Sequence, residues 1–243
     1  MPTRRALSAL AILFLSTACR QVRDPLPGFP RLVLWAWERP ENLFYLIPSA
    51  TGVAYLADTI SLNAGKLERY PRMQPLILPP HTPIIAVIRI ESHDSNRPPV
   101  ETVADEIVRA TAHAPIRALQ IDFDARTSER EYYRALLAEL RHDLPPNVAL
   151  EITALVSWCE FDDWIRRLPI ADAVPMFFQM GADPHSTSEH LHEPLCQSSA
   201  GISTAEFYVT IPHVQRVFVF SPRPWTESNY RAVLQASKKW FSN

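Results

Sequence analysis

A chain of 243 residues that is 47 % apolar, with a net charge of −2, has enough hydrophobic material for one large α/β domain and too little charge to stay unfolded. Its near balance of charge leaves no basic stripe to neutralise phosphates, which argues against a nucleic-acid partner. Five glycines supply no G-x-G-x-x-G or Walker loop, while the 23 prolines tend to fall between apolar runs, where they end elements and stiffen loops.

Residues 1–18 read as an export signal. Arg4 and Arg5 give a positive start, and "ALSALAILFL" (6–15) is an apolar run too short to anchor stably in a bilayer. "LSTAC" (15–19) resembles a bacterial lipoprotein box, with small Ala18 before Cys19, although Ser16 stands where Leu is the stronger choice. The resemblance implies cleavage before Cys19 and lipidation of that residue; an ordinary secretory signal or a membrane-embedded tail is the alternative. Residues 19–30 then read as a Pro-rich tether and 31–243 as a single domain. Arg20 is not the Asp associated with inner-membrane retention. The expected location is therefore the periplasmic face of the outer membrane, with the bilayer as a partner through the lipid.

From residue 31 onward, strand-like apolar runs alternate with amphipathic stretches, the pattern of βα units. "RLVLWAWE" (31–38) comes first, followed by a short helix-like "ENLFYLI" (41–47). "GVAYLADTISL" (52–62) and "PIIAVIRIE" (83–91) are the next strands, with a helix over 100–114. "IRALQIDFDA" (116–125) leads into a helix over 127–144, whose "TSER" start offers a cap and whose Tyr132, Leu136, Leu137 and Leu140 recur at helical spacing. "NVALEITALVSW" (147–158), a brief helix "DDWIRRL" (162–168), "ADAVPMFFQM" (171–180), "AGIS" (200–203), a helix start at "TAEFYV" (204–209), "RVFVFSP" (216–222) and a helix over 227–241 complete the chain. Eight strands separated mostly by helices predict a small (β/α)8 barrel with some helices short or missing. An open doubly wound sheet is the rival, but the Gly-rich turn it usually carries after its first strand is absent.

With Cys19 lipidated, Cys159 and Cys196 are an even pair in an oxidising compartment. They either form a disulfide that clips the loop around 181–200 to a strand end, or stay as two thiols. With His185, His190 and His192 they form neither C-x-x-C nor H-E-x-x-H, so no zinc site and no cofactor are expected.

Side chains alternate along a strand, so residue parity assigns faces. Gln120, Asp122 and Asp124 share one face of the fourth strand, opposite Leu119, Ile121 and Phe123. Arg89 and Glu91 lie together on the third. Glu151, Thr153 and Ser157 alternate with apolar residues on the fifth, where Glu151 sits early and reads as structural. Gln179 lies on the sixth strand, and Glu38 ends the first. In a barrel the mixed faces point into the lumen, and their polar tips gather at the C-terminal mouth, where barrel enzymes place their sites. Asp122 and Asp124 would form a cleft floor with Arg89 offsetting their charge. Their structural alternatives are a loop anchor or helix cap for the D-x-D pair and an internal ion pair for Arg89 and Glu91.

The blocks "LWAWERPE", "VAYLADT", "VIRIES", "LQIDFDAR", "ITALVSWC", "AVPMFFQMG" and "FSPRPW" together resemble the bacterial domain of unknown function 3142 family, over roughly residues 30–225. That family implies no established activity. The strand-terminal D-x-D is more distantly similar to the acids of barrel glycosidases, but Arg126 stands where the chitinase pattern D-x-x-D-x-D-x-E has its final Glu. The leading expectation is a cell-envelope glycoside hydrolase-like protein with Asp124 and Glu91 as its catalytic pair and Asp122 tuning the site. Glu38, Arg89, Gln179, Trp158 and Trp225 would contact a carbohydrate, although tryptophans are more often core than sugar platforms. A non-catalytic lipoprotein binding a glycan or a partner is the alternative from another class. A Mg²⁺ or Ca²⁺ site at Asp122, Asp124 and Glu91 is a third.

Overall fold

The computed structural model describes residues 24–178, 191–206 and 211–241. In chain order its strands are β1 (Leu32–Ala36), β2 (Glu41–Asn42), β3 (Thr51–Asn63), β4 (Lys66–Pro71), β5 (Leu76–Ile77), β6 (Ile84–Ser92), β7 (Ala118–Asp122), β8 (Ala149–Leu155), β9 (Asp172–Met176), β10 (Ser199–Ser203) and β11 (Arg216–Phe220). The helices are α1 (Val100–Thr111), α2 (Arg130–Asp143), α3 (Val156–Glu160) and α4 (Glu227–Trp240). β1, β3, β6, β7, β8, β9, β10 and β11 run parallel, and β1 pairs with both β11 and β3, so the sheet closes into an eight-stranded barrel. β4 adds an antiparallel edge to the long β3, and β2 pairs with β5 outside the barrel.

Two apolar layers follow from the period-two pattern. Leu119, Ile121, Leu150 and Ile152 face outward to the buried stripe of α2 (Tyr133, Leu136, Leu137 and Leu140) in the main core. Tyr132, one position away, is half-buried and donates through Oη to Pro98 O at 2.9 Å. Val33, Trp35, Ala54, Ile85, Val87 and Phe218 point inward and fill the lumen. The Trp35 ring lies 5.2 Å from that of Phe218, and its Nε1 donates to Gln120 Oε1 at 2.9 Å. Gly201 makes room for it, because a Cβ there would stand 2.8 Å from the Trp35 ring.

Residues 24–30, expected as part of a free tether, instead close the base of the barrel. Leu26 and Phe29 are buried in the lumen cluster, and Phe29 occupies the space where a Cβ on Gly52 would lie. Arg216 fastens the segment: its Nη2 donates to Asp24 Oδ1 and Leu26 O, both at 3.0 Å, and its Nε to Pro30 O at 3.2 Å. Two large apolar side chains gain more from filling an open barrel end than from solvent.

The remaining differences are local. Glu41–Asn42 form a strand rather than a helix start, because buried Glu41 accepts from Arg39 Nε at 2.6 Å and from Trp225 N at 3.0 Å. "DDWIRRL" is a turn whose Trp164, Ile165 and Leu168 cover the core without a helix. The helical turn falls earlier, at α3, where β8 ends. Thr204 and Ala205 form a turn rather than a helix start, and residues 207–209 of "TAEFYV" lie outside the described residues. A bulge between Leu56 and Asp58 reverses the parity of β3, so Leu56 faces the lumen while Ile60 and Leu62 face the helices. It also directs Asp58 to Arg69, at 2.5 Å. Cys159 and Cys196 form a disulfide, which decides between the two expectations and ties α3 to the segment before β10.

Candidate functional site

At the C-terminal ends of β6 and β7 lies an open cavity of about 440 Å³, lined by Arg89, Glu91, His93, Asp122, Asp124 and Arg126 among others. Its position follows from strand register. Arg89 on β6 stands beside Asp122 on β7, so lumen-facing residues near the C-terminal ends of two neighbouring strands meet at one rim. Phe123 is buried against Tyr133, with ring centroids 5.1 Å apart, and this anchors the strand end from the outer side. Asp124, one residue further, is exposed in the cavity.

The acids have different surroundings. Asp122 is half-buried and accepts a hydrogen bond from Thr153 Oγ1 on β8 at 2.7 Å. Burial pushes its carboxyl up to about 6, with the charge of Asp124 adding to the rise, while the Thr153 bond and Arg89 act against it. Glu91 is ion-paired within its own strand, its Oε1 3.0 Å from Arg89 Nη2, and both side chains are more than a third exposed. Arg89 is therefore shared between Glu91 and the field around Asp122.

The wall beyond is built on Glu129, which residue spacing did not single out as a site residue. Its buried carboxylate accepts from Arg126 N at 2.7 Å, Arg126 Nη2 at 2.7 Å and Arg97 Nη2 at 2.9 Å. Burial alone would raise this acid, but the hydrogen bonds from Arg126, Ser92 and Arg97 draw it down to about 2. The acid that caps the start of the helical stretch at Thr127 is thus Glu129, not the D-x-D pair. Its sequence signal was the three-residue spacing from Arg126 in "RTSE".

Other expected contact residues are elsewhere. Glu38 is exposed beyond the end of β1, where Thr59 Oγ1 donates to it at 3.3 Å, and it does not line this cavity. Trp158 and Trp225 are buried, which corrects their assignment as sugar platforms: Trp158 packs edge-on against Trp164 at 4.8 Å, and Trp225 Nε1 donates to Trp35 O at 3.0 Å. Both indoles lie where helix and loop close over the strands, so packing takes the faces a sugar would need. Gln179 lies outside the described residues. Among the described residues, no group of three or more His, Cys, Asp or Glu is placed to hold a metal ion, so Asp122, Asp124 and Glu91 do not form the cation site considered above.

Below the cavity the lumen contains a second polar cluster. Glu151 and Asp172 are fully buried on neighbouring strands in register. Gln120 Nε2 donates to Glu151 at 3.5 Å, and Ser199 Oγ donates to Asp172. Burial raises both carboxyls, the charge of Asp172 adds to the rise for Glu151, and Arg216 opposes the rise of each. Enclosed by Trp35 above and residues 24–30 below, the cluster belongs to the interior of the barrel, as the early position of Glu151 implied.

Residues 81–186 match the model of a family described as Domain of unknown function (DUF3142). The matched span includes β6, β7, β8 and β9 and every described residue lining the cavity, whereas the blocks quoted at residues 34–41, 53–59 and 220–225 fall outside it. No curated protein and no solved structure matches the chain.

Proposed function

We propose that the cavity at the ends of β6 and β7 cleaves glycosidic bonds of an envelope or extracellular polysaccharide. In this reading Asp122 is the proton donor, and Asp124 is the second carboxylate, acting as base or nucleophile. The observation that carries it is the contrast between the two acids. Asp122 is held near 6 at the floor of an open polar cavity, and Asp124 stands exposed two residues away. Glycoside cleavage needs such a pair, one carboxyl protonated to assist the leaving oxygen and one ionised. Glu91, first expected as a partner of Asp124, has its carboxylate engaged by Arg89, so the proton is assigned to Asp122 instead. Arg89 and Arg126 add donors suited to a hydroxyl-rich substrate.

The export signal and the "LSTAC" box support a place in the cell envelope with Cys19 lipidated. Globomycin-sensitive processing and palmitate labelling lost in Cys19→Ser test that part.

The Arg89–Glu91 pair favours a second reading, a non-catalytic glycan- or partner-binding envelope lipoprotein, since such a pair offers donors and acceptors without a free catalytic acid. Incubating the purified protein with a panel of envelope glycans separates the two. Release of reducing ends that disappears in both Asp122→Asn and Asp124→Asn supports the enzyme. Saturable glycan binding with no product, unchanged in Asp122→Asn, supports the binder.

A further inference from the structure

The closed base of the barrel, opposite the candidate site, has an arrangement of charge that the proposed reaction does not use. A cavity of about 300 Å³ opens there, lined by Arg117, Arg141, Pro25, Pro27 and Pro146 among others. Both arginines bond only to neutral carbonyls among the described residues. Arg117 Nη2 donates to Pro27 O at 3.1 Å; Arg141 Nη1 donates to Val148 O at 2.8 Å, and its Nη2 to Leu144 O and Pro145 O at 2.9 and 3.0 Å. A guanidinium held by carbonyls is positioned without being neutralised, and its remaining N–H groups suit phosphate oxygens. Arg31 at the same end likewise bonds the carbonyls of Gln215 and Val214, and exposed His113 and His142 lie nearby in the chain. Of the acids at this end, Asp24 is already paired with Arg216, and Asp143 is exposed.

Chain geometry gives this surface a direction. Asp24 is fixed to the base by Arg216, and Cys19 precedes it by only five residues, which span at most about 18 Å when fully extended. A lipid on Cys19 would therefore hold the base, not the mouth, at the bilayer.

We propose that the base docks on the headgroups of anionic phospholipids, with Arg117 and Arg141 contacting their phosphates, so that the barrel stands with its candidate site turned away from the membrane. The orientation rests on the reading of Cys19 as the lipidated residue; the headgroup contact rests on the arginines. The substrate is then a glycan reached from the aqueous side, at roughly the height of α2 above the headgroups, about 20 Å.

The test uses the full chain, purified from membranes and reconstituted into vesicles of phosphatidylethanolamine, alone or mixed with phosphatidylglycerol. Hydrogen exchange is followed by mass spectrometry, which also reports acylation of Cys19. Anionic vesicles are expected to slow exchange in 112–118 and 141–149 roughly fivefold or more, with 91–97 unaffected. High salt or Arg117→Gln, which removes only one protein hydrogen bond, should reverse the slowing, and Arg141→Lys should retain part of it. Equal slowing by inorganic phosphate without vesicles, protection of 91–97 instead, or no slowing with Cys19 acylated would overturn the docking. Protection of the base without acylation would leave the docking standing and remove only the anchor.

Discussion

Thr153 Oγ1 on β8 donates to Asp122 Oδ1 on β7 at 2.7 Å, and this bond is the main force opposing the rise that burial imposes on the acid. Removing it with Thr153→Val should move the Asp122 titration upward from about 6, since the ionised form loses its donor. Carboxyl-carbon NMR reads the shift directly. In the proposed reaction Asp122 must carry a proton, so activity should fall as pH rises through about 6, and the falling limb should move to higher pH in the variant. A limb that moves down, or stays in place while Asp122 shifts, would remove Asp122 from the proton-donor role.

Glu129 is the structural keystone of the cavity wall. Glu129→Ala should cost about 3–5 kcal/mol, because it leaves Arg97 nearly buried without its carboxylate and uncaps the turn entering α2. Chemical denaturation of the variant measures it. The folded carboxyl is depressed to about 2 from an ordinary value near 4.5, so its contribution is present above pH 4.5 and is lost as pH falls toward 2.

The lumen pair gives the opposite slope. Glu151 and Asp172 are pushed up to about 8 and about 7 by burial, so the folded protein holds protons that the unfolded chain has released. Stability should therefore decline as pH rises from about 4 to about 8 and level off beyond. Glu151→Gln should flatten that decline and raise stability at pH 8 by about 1–3 kcal/mol. Thermal melts at pH 5 and pH 8 compare the two proteins; a wild type more stable at pH 8 would contradict the account.

The disulfide closes a loop of 37 residues between α3 and the segment before β10. Constraining a loop of that length in the unfolded chain is worth about 3–4 kcal/mol. Cys159→Ala with Cys196→Ala should lower the unfolding free energy measured by chemical denaturation by that amount, and a reductant should destabilise the wild type but not the double variant.

Much of the architecture was legible one strand at a time. The alternation of Gln120, Asp122 and Asp124 with Leu119, Ile121 and Phe123 assigns lumen and helix faces without knowledge of the neighbours, because a strand's period is set by its own backbone. The stripe of α2 was visible for the same reason, one position out at Tyr132 because neighbouring helical residues differ by only about 100°. The β3 bulge was not visible, since no residue type in "LADT" demands the extra residue; pairing with β6 does.

What the linear order of residues determined is therefore local: eight strands, the two faces of those that run without a bulge, and an acidic pair at the end of one of them. Which charges face each other was decided by the tertiary fold. Pairing of β7 with β8 carried Thr153 to Asp122, strand register set Arg89 beside Asp122 while leaving it in reach of Glu91, and the packing of loops and helices took Trp158 and Trp225 out of solvent. The reason is physical. A side chain's direction depends on its own dihedrals, but its burial, partners and proton affinity depend on groups that arrive from distant parts of the chain.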